Sequence, residues 1–511
     1  MLVKTYSSTL LGIQSTTITI TIEVNLGTGI NFYMVGLPDN AVKESHQRIK
    51  SAFKNNGLKF PGREITINMA PADLKKEGTV FDLPIAIGIL SVSKQVDHER
   101  LKDYQMIGEL SLDGSLQACK GVLPRVIQAK KEGFKGIIVP LQNVTEAQLV
   151  EGIEIIPAKQ IKHVIDFLNG NGISELKPQG KEESESPSPI DFRDVQGQYQ
   201  VKRAFEIAAS GGHNMILIGP PGSGKSMMAK RLPNILPPLS MDEALETTTI
   251  HSVSHKVNYK GGLVQNRPFR KPHHSISDVA LVGGGAMPKP GEISLAHNGV
   301  LFLDELPEYK RNALEVMRQP MEEQIVTISR ANFSAEYPAN FMLLAAMNPC
   351  PCGYLNHPKK KCSCSPYQVH RYLAKISGPL LDRIDLHIEV APVSFSDLSS
   401  KRQEESSHNI KNRVQQTREI QSKRYAYKKV NRCNANMSKS EMKRFCQLTQ
   451  NSSELIERAM NKLNLSARAY DRILKIARTI ADMDQKENIA EQHLAEAIQY
   501  RALDKMKDYF S

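Results

Sequence analysis

The sequence lacks any apolar run long enough to cross a lipid bilayer. Its longest apolar run extends from Leu83 to Leu90, whereas a membrane-spanning helix needs roughly 18 or more apolar residues. The N-terminal stretch alternates Thr with Ile over residues 16–22, which is the period of a strand, and it lacks the continuous apolar core of a signal peptide. We therefore expect a cytoplasmic protein with no membrane segment.

Cysteine is scarce as well, with seven residues in a chain of 511. An odd and small number of cysteines excludes the disulfide framework of a small secreted protein. Four of the seven lie between Cys350 and Cys364, and this clustering indicates a local chemical role.

Acidic residues are outnumbered, since 54 Asp and Glu face 66 Lys and Arg and leave a formal net charge of +12. This balance favours polyanionic partners without naming one. The excess is uneven, because residues 401–444 hold 13 basic and 4 acidic side chains. A solvated helical surface would explain that segment equally well.

The chain is long enough for about three domains. Residues 1–173 combine strand and helix patterns and predict an α/β or α+β domain, and the Pro- and Ser-rich segment 174–190 predicts a linker. Residues 191–395 carry apolar strands separated by helices, which predict a parallel sheet buried on both faces. Residues 396–511 predict a basic connector followed by a helical domain.

A phosphate-binding loop follows one of these apolar strands and precedes a helical pattern. It matches G-x-x-x-x-G-K-[ST], whose backbone N–H groups point at phosphate oxygens. We expect the lysine to contact the β and γ phosphates of ATP or GTP and the last serine to ligate Mg²⁺. The predicted nucleotide-binding residues are Gly219, Pro220, Pro221, Gly222, Ser223, Gly224, Lys225 and Ser226.

Two carboxylates end the apolar strand Val300–Leu303. Nucleotide hydrolysis needs one group on the magnesium side and another that orients water. We predict Asp304 for the first role and Glu305 for the second, and Asn348, after the next apolar strand, to bond the attacking water or the γ phosphate. A strand that simply ends in a solvated acidic turn is the structural alternative.

These motifs resemble those of AAA+ ATPases of the magnesium-chelatase and MCM-like branch. The stretches DVQGQ, FRKPHHSIS, NPCPCG and SGPLLDRIDLHIEV are similar to those of the ComM (YifB) competence-protein family, and the similarity extends over nearly the whole chain. The resemblance implies an AAA+ P-loop core with a helical C-terminal lid.

The resemblance also implies two catalytic arginines. Arg383 would be the arginine finger that reaches a neighbouring subunit's nucleotide, and Arg468 would be the sensor-2 arginine. An ion pair with Asp382 or Asp385 in the same chain is the alternative for Arg383. Together the two roles imply a ring of identical chains, most readily a hexamer.

Two insertions are expected within the ATPase domain. The basic segment 265–271, followed by His273 and His274, is predicted to protrude as the helix-2 insert that the resemblance implies, and residues 323–337 predict a hairpin. In a ring both would face the pore. The predicted contacts to the DNA backbone are Arg267, Arg270, Lys271 and Arg330.

The clustered cysteines form two C-x-C pairs, Cys350 with Cys352 and Cys362 with Cys364. Four thiolates suit a closed tetrahedral Zn²⁺ site with a structural role. His357 could replace one ligand, and two disulfides are the alternative that a cytoplasmic location disfavours.

The stretch IGELSLDGSLQACKGVLPRVIQAKKEGFKGIIVP, residues 107–140, is similar to a run of the Lon protease domain. Residues 1–173 therefore resemble that domain, which has a ribosomal S5 domain 2-like fold. An active site of that type needs a serine nucleophile and a lysine. The expected serine stretch spans Gly78 to Pro84 and contains no serine, and Pro124 stands at the expected lysine position. We predict an inactive domain that binds or guides DNA.

The sequence therefore predicts a ring-forming, ATP- and Mg²⁺-dependent motor that acts on single-stranded or branched DNA. The resemblance implies helicase-driven branch migration during recombination and natural transformation, with recombination proteins as possible partners. Two alternatives stay open: a chelatase-type motor acting on a protein partner, and an ATPase that remodels proteins through its Lon-like domain.

Overall fold

The computed structural model describes residues 2–25, 31–171, 190–254, 262–285, 288–330, 333–392, 404–427, 432–463 and 465–501. The chain divides into two compact units. The first comprises Met1–Ser184, Ala244–Val264 and Ser329–Glu336, and the second comprises Glu185–Glu243, Gln265–Ile328 and Tyr337–Ser511. Among the described helices, none has the length and apolarity that a bilayer crossing requires. Nearly all of the predicted linker lies outside the described residues.

The first unit is built on a mixed seven-stranded sheet of order β3-β4-β2-β1-β5-β8-β9, with a separate β6–β7 pair. Its strands are β1 (Leu2–Leu11), β2 (Gln14–Val24), β3 (Phe32–Val35), β4 (Ile65–Ala70), β5 (Tyr104–Met106), β6 (Glu109–Leu110), β7 (Leu116–Gln117), β8 (Gly136–Pro140) and β9 (Glu154–Ala158). Its N-terminal helices are α1 (Asn40–Lys43), α2 (Ser45–Asn55), α3 (Asp82–Val92), α4 (Val122–Lys131), α5 (Val144–Ala147) and α6 (Ile161–Leu168).

Sequence periodicity explains the core of this unit. Ile18, Ile20 and Ile22 alternate with threonines along β2 and are fully buried on one face. The apolar run predicted from Leu83 to Leu90 forms most of α3, in which every residue is buried. Gly88 allows α3 to approach β2, since an added Cβ would lie 2.0 Å from the Ile22 side chain.

The second unit contains a five-stranded parallel sheet of order β11-β14-β17-β10-β18. The strands from here to the end of the chain are β10 (Met215–Ile218), β11 (Phe269–Arg270), β12 (Gly283–Gly284), β13 (Lys289–Pro290), β14 (Val300–Leu303), β15 (Ile325–Arg330), β16 (Phe333–Pro338), β17 (Met342–Met347) and β18 (Leu386–Glu389). β10, β14 and β17 are buried along their whole length, as their continuous apolar sequences predict.

Helices cover this sheet and form the C-terminal part of the unit, although Met241–Val253, which lies among them in the chain, belongs mostly to the first unit. They are α7 (Tyr199–Gly211), α8 (Lys225–Ala229), α9 (Leu232–Ile235), α10 (Met241–Val253), α11 (Asp278–Val282), α12 (Glu292–Leu295), α13 (Arg311–Glu315), α14 (Arg318–Glu323), α15 (Pro366–Leu373), α16 (Gly378–Leu381), α17 (Ser407–Arg424), α18 (Lys439–Phe445), α19 (Gln450–Leu463), α20 (Ala467–Met483) and α21 (Glu491–Gln499). The predicted α/β core with a helical C-terminal region is confirmed.

The insertions differ in part from the prediction. The basic segment 265–271 does not protrude, because Phe269 and Arg270 form β11, the outermost strand of the parallel sheet, and pair with Val300 and Leu301. Residues 244–264 and 329–336 instead belong to the first compact unit. The predicted hairpin is present as β15 and β16.

Candidate nucleotide site and cysteine cluster

The predicted nucleotide-site residues lie together where the strands of the parallel sheet end, at their carboxyl ends. In a parallel sheet all strands end at the same edge, and ligands bind where the strand order reverses. β10 lies between β17 and β18, so the phosphate loop after Ile218 and Asn348 after Met347 emerge side by side. Asp304 follows β14, the next strand along.

The phosphate loop has the backbone that its glycines permit. Gly222 and Gly224 have φ values of 78° and 86°, which side-chain-bearing residues rarely adopt. Lys225 begins α8, and its Nζ donates to the carbonyl oxygens of Gly219 at 2.7 Å and Pro220 at 2.8 Å. Burial lowers the pKa of Lys225.

The predicted magnesium ligands are in direct contact. Ser226 Oγ donates to Asp304 Oδ2 at 2.8 Å, and Lys271 Nζ donates to the same oxygen at 2.8 Å. Burial acts to raise the pKa of Asp304, but the hydrogen bonds from Lys271 and Ser226 outweigh it and hold that pKa below its usual value. A hydroxyl and an ionised carboxylate beside a phosphate loop are the donor set that nucleotide-bound Mg²⁺ uses, so these residues fit that ion.

Glu305 and Asn348 flank this pair. Glu305 has a left-handed backbone with φ of 55°, and its side chain is 59% exposed. Asn348 Oδ1 accepts from Lys225 Nζ at 3.3 Å, which joins the two strand ends. The arrangement brings a water-accessible carboxylate and a polar amide to the phosphate loop.

Arg383 lies at the opposite edge of the sheet. Leu386, which starts β18, pairs with Met215, which starts β10, so Arg383 precedes the strand at the end remote from the phosphate loop. Its Nη2 lies 2.5 Å from Glu322 Oε1, and its Nη1 donates to Pro379 O at 2.7 Å. The ion pair observed is thus with Glu322, whereas the sequence alternative named Asp382 or Asp385.

Arg468 shares this remote edge. It lies in the first turn of α20, its Nη1 is 4.0 Å from Asp382 Oδ2, and its side chain is 58% exposed. Its charge contributes to lowering the pKa of Arg383, after burial, the larger cause. The two predicted catalytic arginines are therefore neighbours, and both lie away from the phosphate loop of their own chain.

The predicted DNA contacts have partners within the protein. The Arg267 guanidinium donates to the carbonyl oxygens of Pro237 and Asn298 and lies 3.1 Å from Glu243. Arg270 lies 2.7 Å from Glu292. These partners argue against the predicted DNA contacts at Arg267 and Arg270, and Lys271 contacts Asp304, one of the predicted nucleotide-site residues. Arg330 ends β15, and its side chain lies outside the described part of the chain.

Much of the basic segment 401–444 is also engaged internally. Arg413 bridges Glu206 and Glu405, Arg418 donates to Ala209 O, and Arg424 pairs with Asp482. These arginines fasten α17 to α7 and α20, so packing accounts for part of the local charge. Residues 401–403 and 428–431 lie outside the described residues.

The four clustered cysteines converge as predicted. Their sulfur atoms all lie within 4.8 Å of one another, and Cys350 Sγ is 3.4 Å from Cys352 Sγ and 3.7 Å from Cys362 Sγ. A tetrahedral site with Zn–S bonds of about 2.3 Å needs sulfurs about 3.8 Å apart, so the donor set fits Zn²⁺. All four thiols are free, which argues against the disulfide alternative.

Backbone N–H groups contact the cysteine sulfur atoms and the neighbouring histidine. Burial acts to raise the pKa of Cys352, but the N–H groups of Tyr354 and Ser363 outweigh it and lower the pKa to about 5. Burial raises the pKa of Cys350 and of Cys364, so the cluster favours a thiolate at Cys352. His357 Nδ1 instead accepts from the backbone N–H groups of Lys359 and Lys360. The cluster reaches the phosphate loop, because a Cβ on Gly353 would lie 2.4 Å from Pro221 Cδ.

Sequence analysis assigned Lys271 to DNA, gave His274 no role in the nucleotide site, and did not name three lysines near the cysteine cluster. Lys271 contacts Asp304 and His274 contacts Glu305, and the basic run RKPHH at residues 270–274 was the available signal for them. Lys359, Lys360 and Lys361 form an exposed run at the tip of the cysteine loop. Its Lys-rich composition was the available signal for them.

The Lon-like positions show no exposed nucleophile–lysine pair at the predicted places. Thr79–Phe81 forms a 3₁₀ turn, and the Thr79 hydroxyl donates to the Glu109 carboxylate. Pro124 lies buried in α4. Its neighbour Arg125, whose pKa burial lowers to about 10, donates to Ser8 Oγ at 3.1 Å.

Comparison with known proteins matches both the ATPase and the flanking regions. The family described as magnesium chelatase, subunit ChlI, matches residues 191–398. The descriptions "Subunit ChlI of Mg-chelatase" and "Magnesium chelatase, subunit ChlI C-terminal" match residues 22–143 and 404–501. The three matches cover most of the described chain.

Full-length relatives are also similar. Competence protein ComM of Haemophilus influenzae is 45% identical over 98% of this chain and 97% of its own length. The YifB protein of Escherichia coli is 45% identical over 95% of each chain. Lon protease 2 of Bacillus subtilis is 30% identical over 137 residues, which are 27% of this chain and 24% of the protease.

Proposed function

Because the chain belongs to the ComM/YifB family of magnesium-chelatase-like AAA+ proteins, we propose that it is a ring-forming, Mg²⁺-dependent ATPase that moves along DNA. Its work would be helicase-driven branch migration during homologous recombination and natural transformation. The observation that carries the proposal is the sheet edge at which Lys225, Ser226, Asp304 and Asn348 meet.

Each of these residues has a chemical task. Mg²⁺, when bound, supplies positive charge against the β and γ phosphates. Ser226 and Asp304 would hold it, and the phosphate-loop N–H groups with Lys225 would orient the triphosphate. Glu305, the exposed carboxylate, would accept the proton of the attacking water, and Asn348 would position that water or the γ phosphate.

The position of Arg383 and Arg468, remote from the phosphate loop of their own chain, supports the proposal of a ring. β10 spans four residues, so its two ends are about 10 Å apart, and Arg383 precedes the far end of β18. A guanidinium there is poorly placed for its own nucleotide and well placed for a neighbour's. Arg383 and Arg468 together would complete the nucleotide site of an adjacent chain. In a closed ring, which we propose to contain six chains, every nucleotide site receives these arginines from a neighbour.

DNA as substrate is supported by the net charge of +12 and by the similarity to competence protein ComM. Binding to the backbone of DNA requires cations free to face phosphates. Lys359, Lys360 and Lys361 are exposed, although Lys360 also lies over the Tyr354 ring, and the three serve as candidates in place of Arg267 and Arg270.

The remaining parts have supporting roles in this proposal. The cysteine cluster would hold structural Zn²⁺ and brace the phosphate loop through Gly353 and Pro221. Residues 1–173 would form an inactive Lon-like domain that binds or guides DNA, joined by the linker 174–190 to the core 191–395 and to the C-terminal part 396–511.

The test measures ATP hydrolysis by the full chain with no polymer, with single-stranded DNA, with forked DNA and with an unfolded polypeptide. We expect stimulation by DNA that declines as salt rises, since counterions compete for phosphate contacts. Indifference to every DNA contradicts the DNA substrate. Stimulation by the polypeptide alone would favour the protein-remodelling alternative, and activity only with a large partner protein would favour the chelatase type.

A further inference from the structure

A surface groove is formed in part by the helix that follows the cysteine cluster along the chain. One wall is the 3₁₀ turn Leu306–Glu308 with the start of α13, and the other wall is α15. The groove has a volume of about 470 Å³, which lies within the range of ligand-binding pockets. Its lining includes none of the predicted nucleotide-site residues and neither of the predicted catalytic arginines. We call it the α13–α15 groove.

The α13–α15 groove carries positive charge. Arg311 lines one wall, and Arg371 and Lys375 line the other. Lys375 Nζ lies 3.3 Å from the carboxylate of Glu308, which also lines the groove. Arg311 and Arg371 are exposed and form no hydrogen bond or ion pair within the described part of the chain. Two guanidinium groups are therefore available to an anion.

The sequence that contains α15 has no acid to neutralise these cations. Residues 337–381 hold five Lys or Arg and no Asp or Glu. The same stretch carries the exposed lysines 359–361 at the tip of the cysteine loop. A surface built from such a stretch attracts polyanions, because cations of one sign add their potentials.

An exposed tyrosine stands in this charged groove. The Tyr367 side chain lines it and is 71% exposed, the largest exposed fraction among the large hydrophobic residues of the described chain. Tyr367 precedes Arg371 by one turn of α15, so the two side chains share one face of the helix. Cys364 immediately precedes Ser365, the N-cap of α15, so the cysteine loop positions the start of that helix.

Cations beside an exposed aromatic ring fit single-stranded nucleic acid. Guanidinium groups bind its phosphates, and its unpaired bases stack on aromatic rings. In a duplex the bases stack on one another, so a duplex would use the cations of the groove and not the ring. An acidic peptide would likewise leave the ring without a planar partner. Tyr367 therefore favours a single strand.

We propose that the α13–α15 groove binds a segment of single-stranded DNA, with Tyr367 stacked on a base and Arg311 and Arg371 in contact with phosphates. This rests on the proposed DNA motor and names the form of DNA that one of its surfaces holds. One wall of the groove begins directly after Glu305. A bound strand therefore touches the chain segment that carries the predicted acids, and this contact would let DNA stimulate hydrolysis.

The first experiment measures binding of fluorescent oligothymidine and of a fluorescent duplex to the full chain. Tyr367→Ala should weaken oligothymidine binding about tenfold, because stacking on one base is lost, and should leave duplex binding within about twofold. Tyr367→Phe keeps the ring and should bind like the unaltered chain. Arg371→Ala should weaken binding of both DNA forms and reduce its salt dependence. Arg458→Ala, which removes an arginine whose side chain is 77% exposed on α19, should alter neither.

Other outcomes overturn the groove. Unchanged oligothymidine binding by Tyr367→Ala shows that the ring does not stack on a base, and equal losses for both DNA forms show that it does not select a single strand. Loss of assembly in Tyr367→Ala, measured by sedimentation, assigns the groove to a neighbouring chain. Failure of the unaltered chain to bind either DNA form refutes the DNA substrate itself, whereas the preceding outcomes leave that substrate standing.

The second experiment measures stimulation of ATP hydrolysis by single-stranded DNA. Tyr367→Ala should need about tenfold more DNA for half-maximal stimulation, with basal kcat unchanged and with Tyr367→Phe like the unaltered chain. An unchanged DNA requirement in Tyr367→Ala contradicts the proposal. A fall in its basal kcat, with native circular dichroism and melting, would place Tyr367 in the hydrolytic machinery and overturn its assignment to DNA.

Discussion

The two edges of the parallel sheet carry different kinds of residue. At the edge where the strands end, Lys225 donates to the carbonyl oxygen of Gly219 in the phosphate loop, and Ser226 donates to Asp304. At the edge where the strands begin, Arg383 and Arg468 pair with Glu322 and Asp382. The predicted nucleotide-site residues and the two predicted catalytic arginines thus lie at opposite ends of the strands, which favours the proposal of a site completed by two chains.

Lys225→Ala should have the largest effect of any single change. The ammonium is the cation of the phosphate loop, so its loss should lower ATP hydrolysis by about a thousandfold or more and weaken nucleotide binding. Steady-state hydrolysis and fluorescent-nucleotide binding measure both effects. Persistent hydrolysis in this variant would show that the strand-end edge is not the active site.

Arg383→Ala should come next, with kcat lowered about a thousandfold and nucleotide affinity retained. The sharper measurement mixes it with Lys225→Ala. If the arginine acts on a neighbouring chain, the two inactive variants should complement each other, with about a quarter of the interfaces intact at equal amounts. The double variant Lys225→Ala/Arg383→Ala is the control that cannot complement. Full-rate hydrolysis by a dilute monomer contradicts the two-chain site.

Removing a ligand of the cysteine cluster should have an intermediate effect, on zinc content and on nucleotide affinity. Cys362→Ser should release one Zn²⁺ per chain and reduce nucleotide affinity about tenfold, because the loop that carries Gly353 no longer supports Pro221. Cys119→Ser, which changes a buried cysteine of the first unit, is the matched control. Unchanged zinc content in Cys362→Ser would exclude the four-thiolate site.

The smallest effect is expected at the strand-start edge, where His213 is buried and bonds Asp385 at 3.0 Å and Thr479 at 2.8 Å. Burial lowers the pKa of His213 in the folded chain. The unfolded chain therefore takes up a proton near pH 6.5 that the folded chain does not, so stability is full above that pH and falls below it.

His213→Asn should weaken that pH dependence by at most about 1.4 kcal/mol per pH unit. Melting curves between pH 7.5 and about 5.5 compare the two chains. An equally steep loss of stability in the variant would assign the pH dependence to other groups.

The sequence predicted which residues meet at the carboxyl ends of the parallel strands, because each of their motifs is contiguous in the chain. The phosphate loop, the LFLDE strand and Asn348 each include the strand that positions them, so parallel pairing alone brings them together. The C-x-C pairs likewise place four thiols on one short loop. The fold class and the family followed from the same local patterns.

Predictions that depended on a side chain's surroundings succeeded less often. Arg267 looked like a free cation, yet folding places it among the carbonyl groups of Pro237 and Asn298. The segment 265–271 looked like a protruding insertion, yet Phe269 and Arg270 complete the sheet. Basic composition does not reveal which acceptors lie nearby, because those acceptors are distant in the chain.

The sequence by itself determined the phosphate loop, the two acids after β14, the cysteine spacing and the alternating or continuous apolar patterns that make the sheets. Only the tertiary structure decided that Arg383 lies at the remote edge and that Lys271 and His274 contact Asp304 and Glu305. The physical reason is strand order and register: neighbours in the sheet are separated by tens of residues in the chain, and hydrogen bonding between strands, which no local pattern encodes, sets which ends meet.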